Sequence, residues 1–154
     1  MILVLLGTHE QPFERAIDLV LGARLDDDLI IQHGHTHPRH ESERVVWREF
    51  APYEEIMELC ESASAIVCHA GVGTIMTALA AGTTPVVIPR LAVHGEHVDD
   101  HQLQIARAFG SEGRVIVLED GADLSHALTQ AQTGTRYEPR NERLRQAVAA
   151  AVDA

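Results

Sequence analysis

The stretch Ala65-Ile-Val-Cys-His-Ala-Gly-Val-Gly-Thr74 decides the fold class of this chain. Its first four residues form an apolar run, which is typical of a strand buried on both faces of a parallel sheet. The two glycines predict a tight turn, and the small-residue segment 74–81, stopped by Gly82, predicts a helix. Residues 85–88 predict the next strand. This region therefore indicates a strand, a turn, a helix and a second strand.

The same alternation extends over the whole chain. Residues 2–6 form an apolar run that ends at Gly7, and they predict the first, central strand. Strands that alternate with helices imply right-handed crossovers and ligands at the carboxyl ends of the strands. The fold class predicted is α/β, a single Rossmann-like, doubly wound parallel sheet. The predicted strands are 2–6, 29–32, 45–47, 65–68, 85–88 and 115–118, and the predicted helices are 12–23, 53–60, 74–81, 98–109, 124–132 and about 139–152.

Composition narrows the class of protein. A length of 154 residues fits one domain, 1–154, and 45% hydrophobic residues suit an ordinary globular core. The formal charge of -11 excludes nucleic acid as a partner, because basic side chains must replace the counterions of its phosphates. All 12 basic residues are Arg, which excludes a Lys nucleophile and a P-loop lysine.

Cysteine usage and the amino terminus bear on localisation. Two cysteines are too few for a disulfide scaffold, so free thiols in a reducing cytoplasm are expected. The apolar run 2–6 is too short for a signal peptide or a membrane span. Any contact with a membrane would have to come through a partner.

The turn within Cys68-His-Ala-Gly-Val-Gly-Thr74 is the strongest candidate for a ligand site. Glycines at a strand-to-helix turn let backbone N–H groups approach a ligand, and the helix N-terminus then favours a pyrophosphate. The alternative is a tight turn whose glycines serve only the backbone conformation. Spacing alone leaves both open.

The surroundings of that turn carry a family resemblance. Together with Ala80-Ala-Gly82, Pro85-Val-Val-Ile-Pro89 and Asp99-Asp-His-Gln102, it resembles the C-terminal domain of family 28 glycosyltransferases. Most similar are the small single-domain subunits of that family, which make dolichol-linked chitobiose or exopolysaccharide. The resemblance implies a fold equivalent to the C-terminal half of a GT-B enzyme. It also implies a UDP-sugar donor, which is a substrate, and a separate membrane-associated subunit that binds the acceptor.

The resemblance also assigns roles to residues. It implies that residues 69–74 hold the diphosphate, that His101 and Gln102 bond sugar hydroxyls, and that Phe50 lies near the base. Two positions depart from the family pattern: Thr77 stands where many relatives have an acidic residue that binds the ribose diol, and Ile105 stands where larger relatives have Asn. The expected donor-binding residues are Gly7, Thr8, Phe50, His69, Ala70, Gly71, Val72, Gly73, Thr74, Glu96, His101 and Gln102.

His9 and Glu10 follow the first strand and would face the same cleft. Either could act as a general base or bond the acceptor, and the alternative is a capping or loop role. In inverting GT-B enzymes the base usually comes from the acceptor half. Histidines also crowd two loops, at 33, 35, 37 and 40 and at 94, 97 and 101, where a metal site and a solvated loop are the two interpretations. We expect no metal and no cofactor.

Two functions from different classes remain. The first is the donor-binding subunit of a heteromeric glycosyltransferase that transfers a sugar to a lipid-linked or polysaccharide-precursor acceptor, cytoplasmic and peripheral at the membrane through its partner, with a homodimer when isolated. The second is a non-catalytic nucleotide-binding regulatory module, which Thr77 favours. A dinucleotide oxidoreductase is disfavoured, because Gly7-Thr8-His9 lacks the GxGxxG turn.

Overall fold

The computed structural model describes residues 1–39, 42–134 and 150. Strands and helices alternate along these residues, as the apolar runs predict. The elements in chain order are β1 (Ile2–Leu5), α1 (Glu14–Gly22), β2 (Leu29–Gln32), β3 (Val45–Arg48), α2 (Tyr53–Ser62), β4 (Ala65–His69), α3 (Val72–Ala80), β5 (Val86–Ile88), a 3-10 turn (Ala92–His94), α4 (His101–Ser111), β6 (Ile116–Val117) and α5 (Leu124–Thr133).

The strands form one parallel sheet in the order β3-β2-β1-β4-β5-β6. The predicted central place of β1 is confirmed, since Ile2 pairs with Leu29 on one side and with Ala65 on the other. The chain builds the sheet outward in one direction through β2 and β3, and in the other through β4, β5 and β6. This reversal opens a crevice at the carboxyl ends of β1 and β4.

Alternation along the strands divides the core into two layers. Ile2 and Val4 point to a layer that includes Ile17 of α1 and Leu128 of α5. Leu3, the next residue along from Ile2, belongs to the opposite layer with residues of α2, α3 and α4. Both faces of the sheet are therefore covered, which explains why the central strands read as unbroken apolar runs.

Three helices begin at other residues than the sequence predicts, and the first is α1, which begins at Glu14 instead of residue 12. Helix α3 begins at Val72 instead of residue 74, so Gly73 lies in its first turn. Helix α4 begins at His101 instead of residue 98, because carboxylates before it are used by the loop. Asp99 Oδ1 accepts the His101 N–H at 3.0 Å, and Asp100 Oδ1 accepts the Ala92 N–H at 2.9 Å.

The predicted terminal helix, about 139–152, lies outside the described residues except for helical residue 150. Across the described ranges, none of the helices has the length and apolar character needed to cross a membrane.

Candidate functional site

A cavity of about 450 Å³ opens at the carboxyl ends of β1 and β4, in the crevice of the sheet. This volume lies within the usual range of small-molecule sites. Its wall is polar beside the start of α3 and apolar beside the start of α2. The lining residues are Leu5, Gly7, Thr8, His9, Gln32, Phe50, Ala51, Tyr53, Ile56, His69, Gly71, Gly73, Thr74, Thr77 and Gln102.

The first turn of α3 supplies hydrogen-bond donors to this cavity. Gly71 is the N-cap residue and no side chain caps the helix. The first N–H bond within the helix runs from Ile75 to the Gly71 carbonyl at 3.0 Å. The N–H groups of Val72, Gly73 and Thr74 therefore have no partner within the described residues, and the helix dipole adds partial positive charge beside them.

His69, at the end of β4, is held in one tautomer. Its Nδ1 accepts the Gly71 N–H at 3.2 Å and a side-chain N–H of Gln102 at 3.1 Å. Nε2 must then carry the proton of the neutral ring, and it donates to Thr74 Oγ1 at 2.9 Å. Because that oxygen accepts, the hydroxyl hydrogen of Thr74 remains available to a ligand.

His69 is uncharged at neutral pH. Burial and, to a lesser extent, the charge of the nearby Arg90 guanidinium together lower the pKa of its imidazole to about 3. A neutral ring that is fixed on both nitrogens positions its neighbours rather than supplying charge.

Gln102, in the first turn of α4, ties three segments together. Its Oε1 accepts the N–H groups of Ala70 and Arg90, each at 3.1 Å. Its Nε2 donates to His69. The carbonyl oxygen is thus occupied by the protein itself, and the side chain is 6% exposed. The role predicted for Gln102, bonding sugar hydroxyls, could use only the one amide hydrogen that does not bond His69.

Gln32 fixes the turn after β1. It accepts the Gly7 N–H at 3.1 Å, and its Nε2 donates to the carbonyls of Gly7 and Glu49, each at 3.0 Å. Gly7 has φ of 78°, and a Cβ there would lie 2.5 Å from Nε2 of His69. Only glycine fits this position, because both the backbone angle and the close imidazole exclude a side chain.

Arg90 is buried behind the cavity and connects the segments around it by hydrogen bonds. Its guanidinium donates to the carbonyls of Leu6 at 2.8 Å, Gln11 at 2.6 Å and Glu96 at 3.2 Å. Arg90 is 1% exposed and lies over the Phe13 ring at 4.6 Å. Burial lowers its pKa to about 10, which leaves it charged at neutral pH. It therefore holds the loops after β1 and β5 together.

His9 reaches the cavity from the loop after β1. Its Nδ1 accepts the Gln11 N–H at 3.2 Å, and its ring lies 4.6 Å from that of His97. Burial, followed by the charges of His97 and Arg90, lowers its pKa. With Nδ1 accepting, the neutral ring carries its proton on Nε2. His9 is then a hydrogen-bond donor in this state, and its role as a base stays a prediction.

Five of the residues predicted for the site do not line the cavity. Glu10 and His101 are exposed, Val72 is 49% exposed, and Ala70 is buried with its N–H bound to Gln102. Glu96 is 3% exposed and accepts Arg15 Nε on Oε1 and an Arg15 terminal nitrogen on Oε2, each at 2.9 Å. Its carboxylate is occupied by Arg15 and by the Leu91 N–H.

The histidines of the first cluster point to different neighbours. His33 packs edge-on against Trp47, His35 packs edge-on against Phe50, and His37 lies 3.6 Å from a carboxylate oxygen of Glu14. His40 lies outside the described residues. Across the residues that are described, no group of three or more His, Cys, Asp or Glu side chains could hold a metal ion.

Six lining residues were not predicted for the site. Gln32 had a signal, a polar residue at the carboxyl end of an apolar strand, where parallel sheets bind ligands. Thr77 stands out in the sequence only as a departure from the acidic residue that the family resemblance implies, and the other four carry no chemical signal that separates them from core residues. The six residues are Leu5, Gln32, Ala51, Tyr53, Ile56 and Thr77.

The arrangement suits an anion joined to an apolar group. Although the chain has a formal charge of -11, none of the cavity residues that the structure describes is Asp or Glu. Unpaired N–H groups and the hydroxyl of Thr74 favour negative charge at the start of α3. Apolar side chains of Phe50, Tyr53 and Ile56 favour a planar or apolar group at the other end.

Solved structures with the same fold include glycosyltransferases. The calicheamicin glycosyltransferase CalG4 has a TM-score of 0.69, 17% identity, and covers 99% of this chain and 42% of its own. The glycotransferase of kitacinnamycin has a TM-score of 0.66, 20% identity, and covers 99% and 38%. Acinetobacter baumannii MurG has a TM-score of 0.57, 21% identity, and covers 99% and 45%. The chain therefore spans less than half of each of these proteins.

Comparison with curated protein sequences finds no significant match. The family model of the glycosyltransferase family 28 C-terminal domain matches residues 1–152. The fold shared with CalG4 confirms the predicted equivalence to the C-terminal half of a GT-B enzyme. The chain belongs to the family of glycosyltransferase family 28 C-terminal domains.

Proposed function

We propose that this chain binds the donor of a glycosyltransferase reaction, a UDP-sugar, in the cavity between β1 and β4. The observation that carries the proposal is the first turn of α3, whose unpaired N–H groups open into a cavity without acidic side chains among the described residues. A nucleoside diphosphate fits this cavity, because its diphosphate is an anion that suits the N–H groups of α3 and its planar base suits the apolar side chains at the start of α2.

The diphosphate would lie against Gly71, Gly73 and Thr74. Backbone N–H groups, the helix dipole and the Thr74 hydroxyl would stabilise the charge that develops on the leaving diphosphate. His69 would keep the hydroxyl of Thr74 oriented through its Nε2 hydrogen bond of 2.9 Å. We propose that this site needs no metal ion, because donors of the protein occupy the place of a cation.

The base would lie against Phe50, which is 47% exposed, and the apolar side chains at the start of α2. The sugar would extend to the other side, towards Thr8, His9 and the amide of Gln102. There His9 would offer an N–H to a sugar or acceptor hydroxyl. The base would therefore meet the apolar part of the cavity wall, and the diphosphate and sugar would meet the polar part.

We further propose that a separate, membrane-associated subunit supplies the acceptor half, and that the acceptor is lipid-linked or a polysaccharide precursor. Support comes from the resemblance of Cys68-His-Ala-Gly-Val-Gly-Thr74, Pro85-Val-Val-Ile-Pro89 and Asp99-Asp-His-Gln102 to the small single-domain subunits of the family. The cavity is open to solvent on the side where an acceptor would have to approach the donor sugar. Exposed Thr8 stands at this open side.

Reconstitution tests the proposal. The purified chain would be incubated with a panel of labelled UDP-sugars, with and without membrane extract of its source, and lipid-linked and polymeric products counted. We expect transfer only when the chain and the membrane extract are both present. The transfer rate should fall at least about tenfold in Gly73→Ala, whose methyl group occupies space beside the phosphates. The control variant Gly22→Ala, on α1, should transfer at the wild-type rate. Strong transfer by the chain alone would contradict the partner, and no transfer with any UDP-sugar would contradict the function.

A further inference from the structure

The loops after β1 and β5 bring two histidine rings into contact beside the cavity. His9 lines the cavity, and the centroid of its ring lies 4.6 Å from that of His97. We propose that His97 is a positioning residue for His9, which it keeps turned into the cavity as an uncharged hydrogen-bond donor. This inference rests on the proposed function, in which His9 meets a hydroxyl of the donor sugar or of the acceptor.

Buried Arg90 connects the two loops that carry these rings. Its guanidinium donates to the carbonyls of Leu6 at 2.8 Å and Gln11 at 2.6 Å, which flank the turn after β1, and to that of Glu96 at 3.2 Å. Glu96 directly precedes His97 in the chain. Each loop is thus fixed close to its histidine, and the contact between the two rings is built into the fold.

The burial pattern of the loop after β5 favours this ring contact. The His97 side chain is 18% exposed, whereas Val93 and Val98 in the same loop are 82% and 77% exposed. Burial of apolar surface alone would turn the valines inward and leave the histidine in water. The loop therefore has a conformation in which the histidine, and not a valine, contacts His9.

Asp99 holds the His97 ring in this place. Nδ1 of His97 lies 3.1 Å from the carboxylate oxygen Oδ1 of Asp99 and 3.4 Å from the backbone nitrogen of the same residue. The same oxygen accepts the His101 N–H at 3.0 Å, so the start of α4 fixes the carboxylate. His97 is therefore held through one ring nitrogen while its ring stays in contact with His9.

The orientation of His9 depends on its charge. In the neutral ring, Nδ1 accepts the Gln11 N–H at 3.2 Å, and Nε2 carries the proton. A protonated ring would carry a hydrogen on Nδ1 as well, and this hydrogen would face that of the Gln11 N–H. Because two donors cannot bond each other, protonation would turn the ring out of this orientation. A group that disfavours the charged ring therefore also preserves its orientation.

His97 is such a group. Burial, followed by the positive charges of His97 and Arg90, lowers the pKa of His9, whereas the neighbouring Glu10 raises it. His69, at the end of β4, also lines the cavity but is uncharged at neutral pH. His97 therefore acts on His9 in two ways, because it packs against the ring and repels a proton from it.

Proton NMR of the histidine rings in the purified chain tests the effect of charge without any ligand. The His9 signal, identified by its loss in His9→Asn, should titrate at lower pH than that of an ordinary histidine. Both His97→Phe and His97→Gln remove the charge of His97. Its midpoint should rise in each by about 0.5 pH unit or more, because two charges at 4.6 Å repel even in a medium close to water.

The control for this titration is His94→Phe, an exposed position of the 3-10 turn, which should leave the His9 midpoint unchanged. A midpoint that is the same in wild type and in the His97 variants would overturn the inference. Either His97 variant is sufficient if the other does not fold.

The reconstituted transfer reaction tests the effect on position. His97→Ala removes ring and charge, so turnover at about pH 7.5 should fall at least about fivefold, with the UDP dissociation constant within about twofold of wild type. His97→Phe restores a ring, so its turnover at this pH should recover, but should decline in weak acid at higher pH than that of wild type. Equal losses of turnover and UDP affinity in His97→Ala, or a wild-type pH profile in His97→Phe, would overturn the inference. Failure of wild type to bind UDP would overturn the proposed function, and the NMR titration would still decide whether His97 acts on His9.

Discussion

Nδ1 of His69 accepts a side-chain N–H of Gln102 at 3.1 Å, and this bond joins the end of β4 to the start of α4. Oε1 of Gln102 accepts the backbone N–H groups of Ala70 and Arg90. The Gln102 side chain is therefore part of the frame that positions the α3 turn. A residue with three internal bonds should matter for folding as well as for ligands.

We expect Gln102→Ala to destabilise the fold by about 2–4 kcal/mol, because it leaves the buried N–H groups of Ala70 and Arg90 without an acceptor. Urea unfolding measures the change. Gln104→Ala, an exposed position on the same helix, is the control and should stay within about 0.5 kcal/mol of wild type. Equal stability of the two variants would show that Gln102 serves only a ligand.

The stability of the chain should depend on His69 in weak acid. Its pKa in the folded chain is about 3, below the ordinary 6.5. Between these pH values the unfolded chain binds a proton that the folded chain does not, so stability falls as pH falls below about 6.5. We expect wild type to lose about 2 kcal/mol more than His69→Gln between roughly pH 7 and pH 5.

Urea unfolding of both proteins at the two pH values measures that difference. Wild type and His69→Gln differ only at position 69, so the difference between their pH dependences reports on that residue. An identical pH dependence of wild type and His69→Gln would mean that His69 accepts a proton in the folded chain, contrary to its burial between Gly71, Thr74 and Gln102.

Gly73 separates ligand effects from folding effects. A Cβ at Gly73 meets nothing within 4 Å, and the same is true of Gly22 at the end of α1. We expect both alanine variants to fold, with stability unchanged or raised by up to about 1 kcal/mol. UDP affinity should fall at least about tenfold in Gly73→Ala alone, because the methyl group fills space beside the phosphates. Normal UDP binding by Gly73→Ala would show that the diphosphate does not bind beside Gly73.

Gly71 differs from Gly73, because a side chain at Gly71 has no free space. A Cβ at Gly71 would overlap Cε1 of His69, so a side chain there must displace the imidazole. Loss of binding in Gly71→Val would thus combine a blocked approach with a moved His69 and a changed Thr74. Gly73→Ala is the cleaner probe.

The sequence predicted the sheet because apolar runs such as residues 2–6 and 65–68 must be buried on both faces. It also identified the phosphate turn, because two glycines follow such a run. It missed the partner of Glu96, since Arg15 lies 81 positions away and only the fold brings them together. Thr77 is not among the expected donor-binding residues, because it departs from the acidic residue that the family resemblance implies at this position, yet it lines the cavity.

The two thiols should be inert in the folded chain. Cys60 and Cys68 are buried, and burial raises the pKa of Cys60 to about 12 and raises that of Cys68 as well. Because the thiolate is the reactive form, we expect a thiol reagent at about pH 8 to label neither cysteine in buffer and both in urea. Rapid labelling of the native protein would contradict this burial.

The central claim is that UDP binds at the first turn of α3. A titration of the isotope-labelled chain with UDP, followed through its backbone amide signals, tests this most directly. We expect a dissociation constant of about 10 µM to 1 mM, with the largest shifts at Val72, Gly73 and Thr74, whose N–H groups have no partner among the described residues. Unchanged signals at millimolar UDP, or shifts that cluster away from α3 and the β1 turn, would contradict the claim.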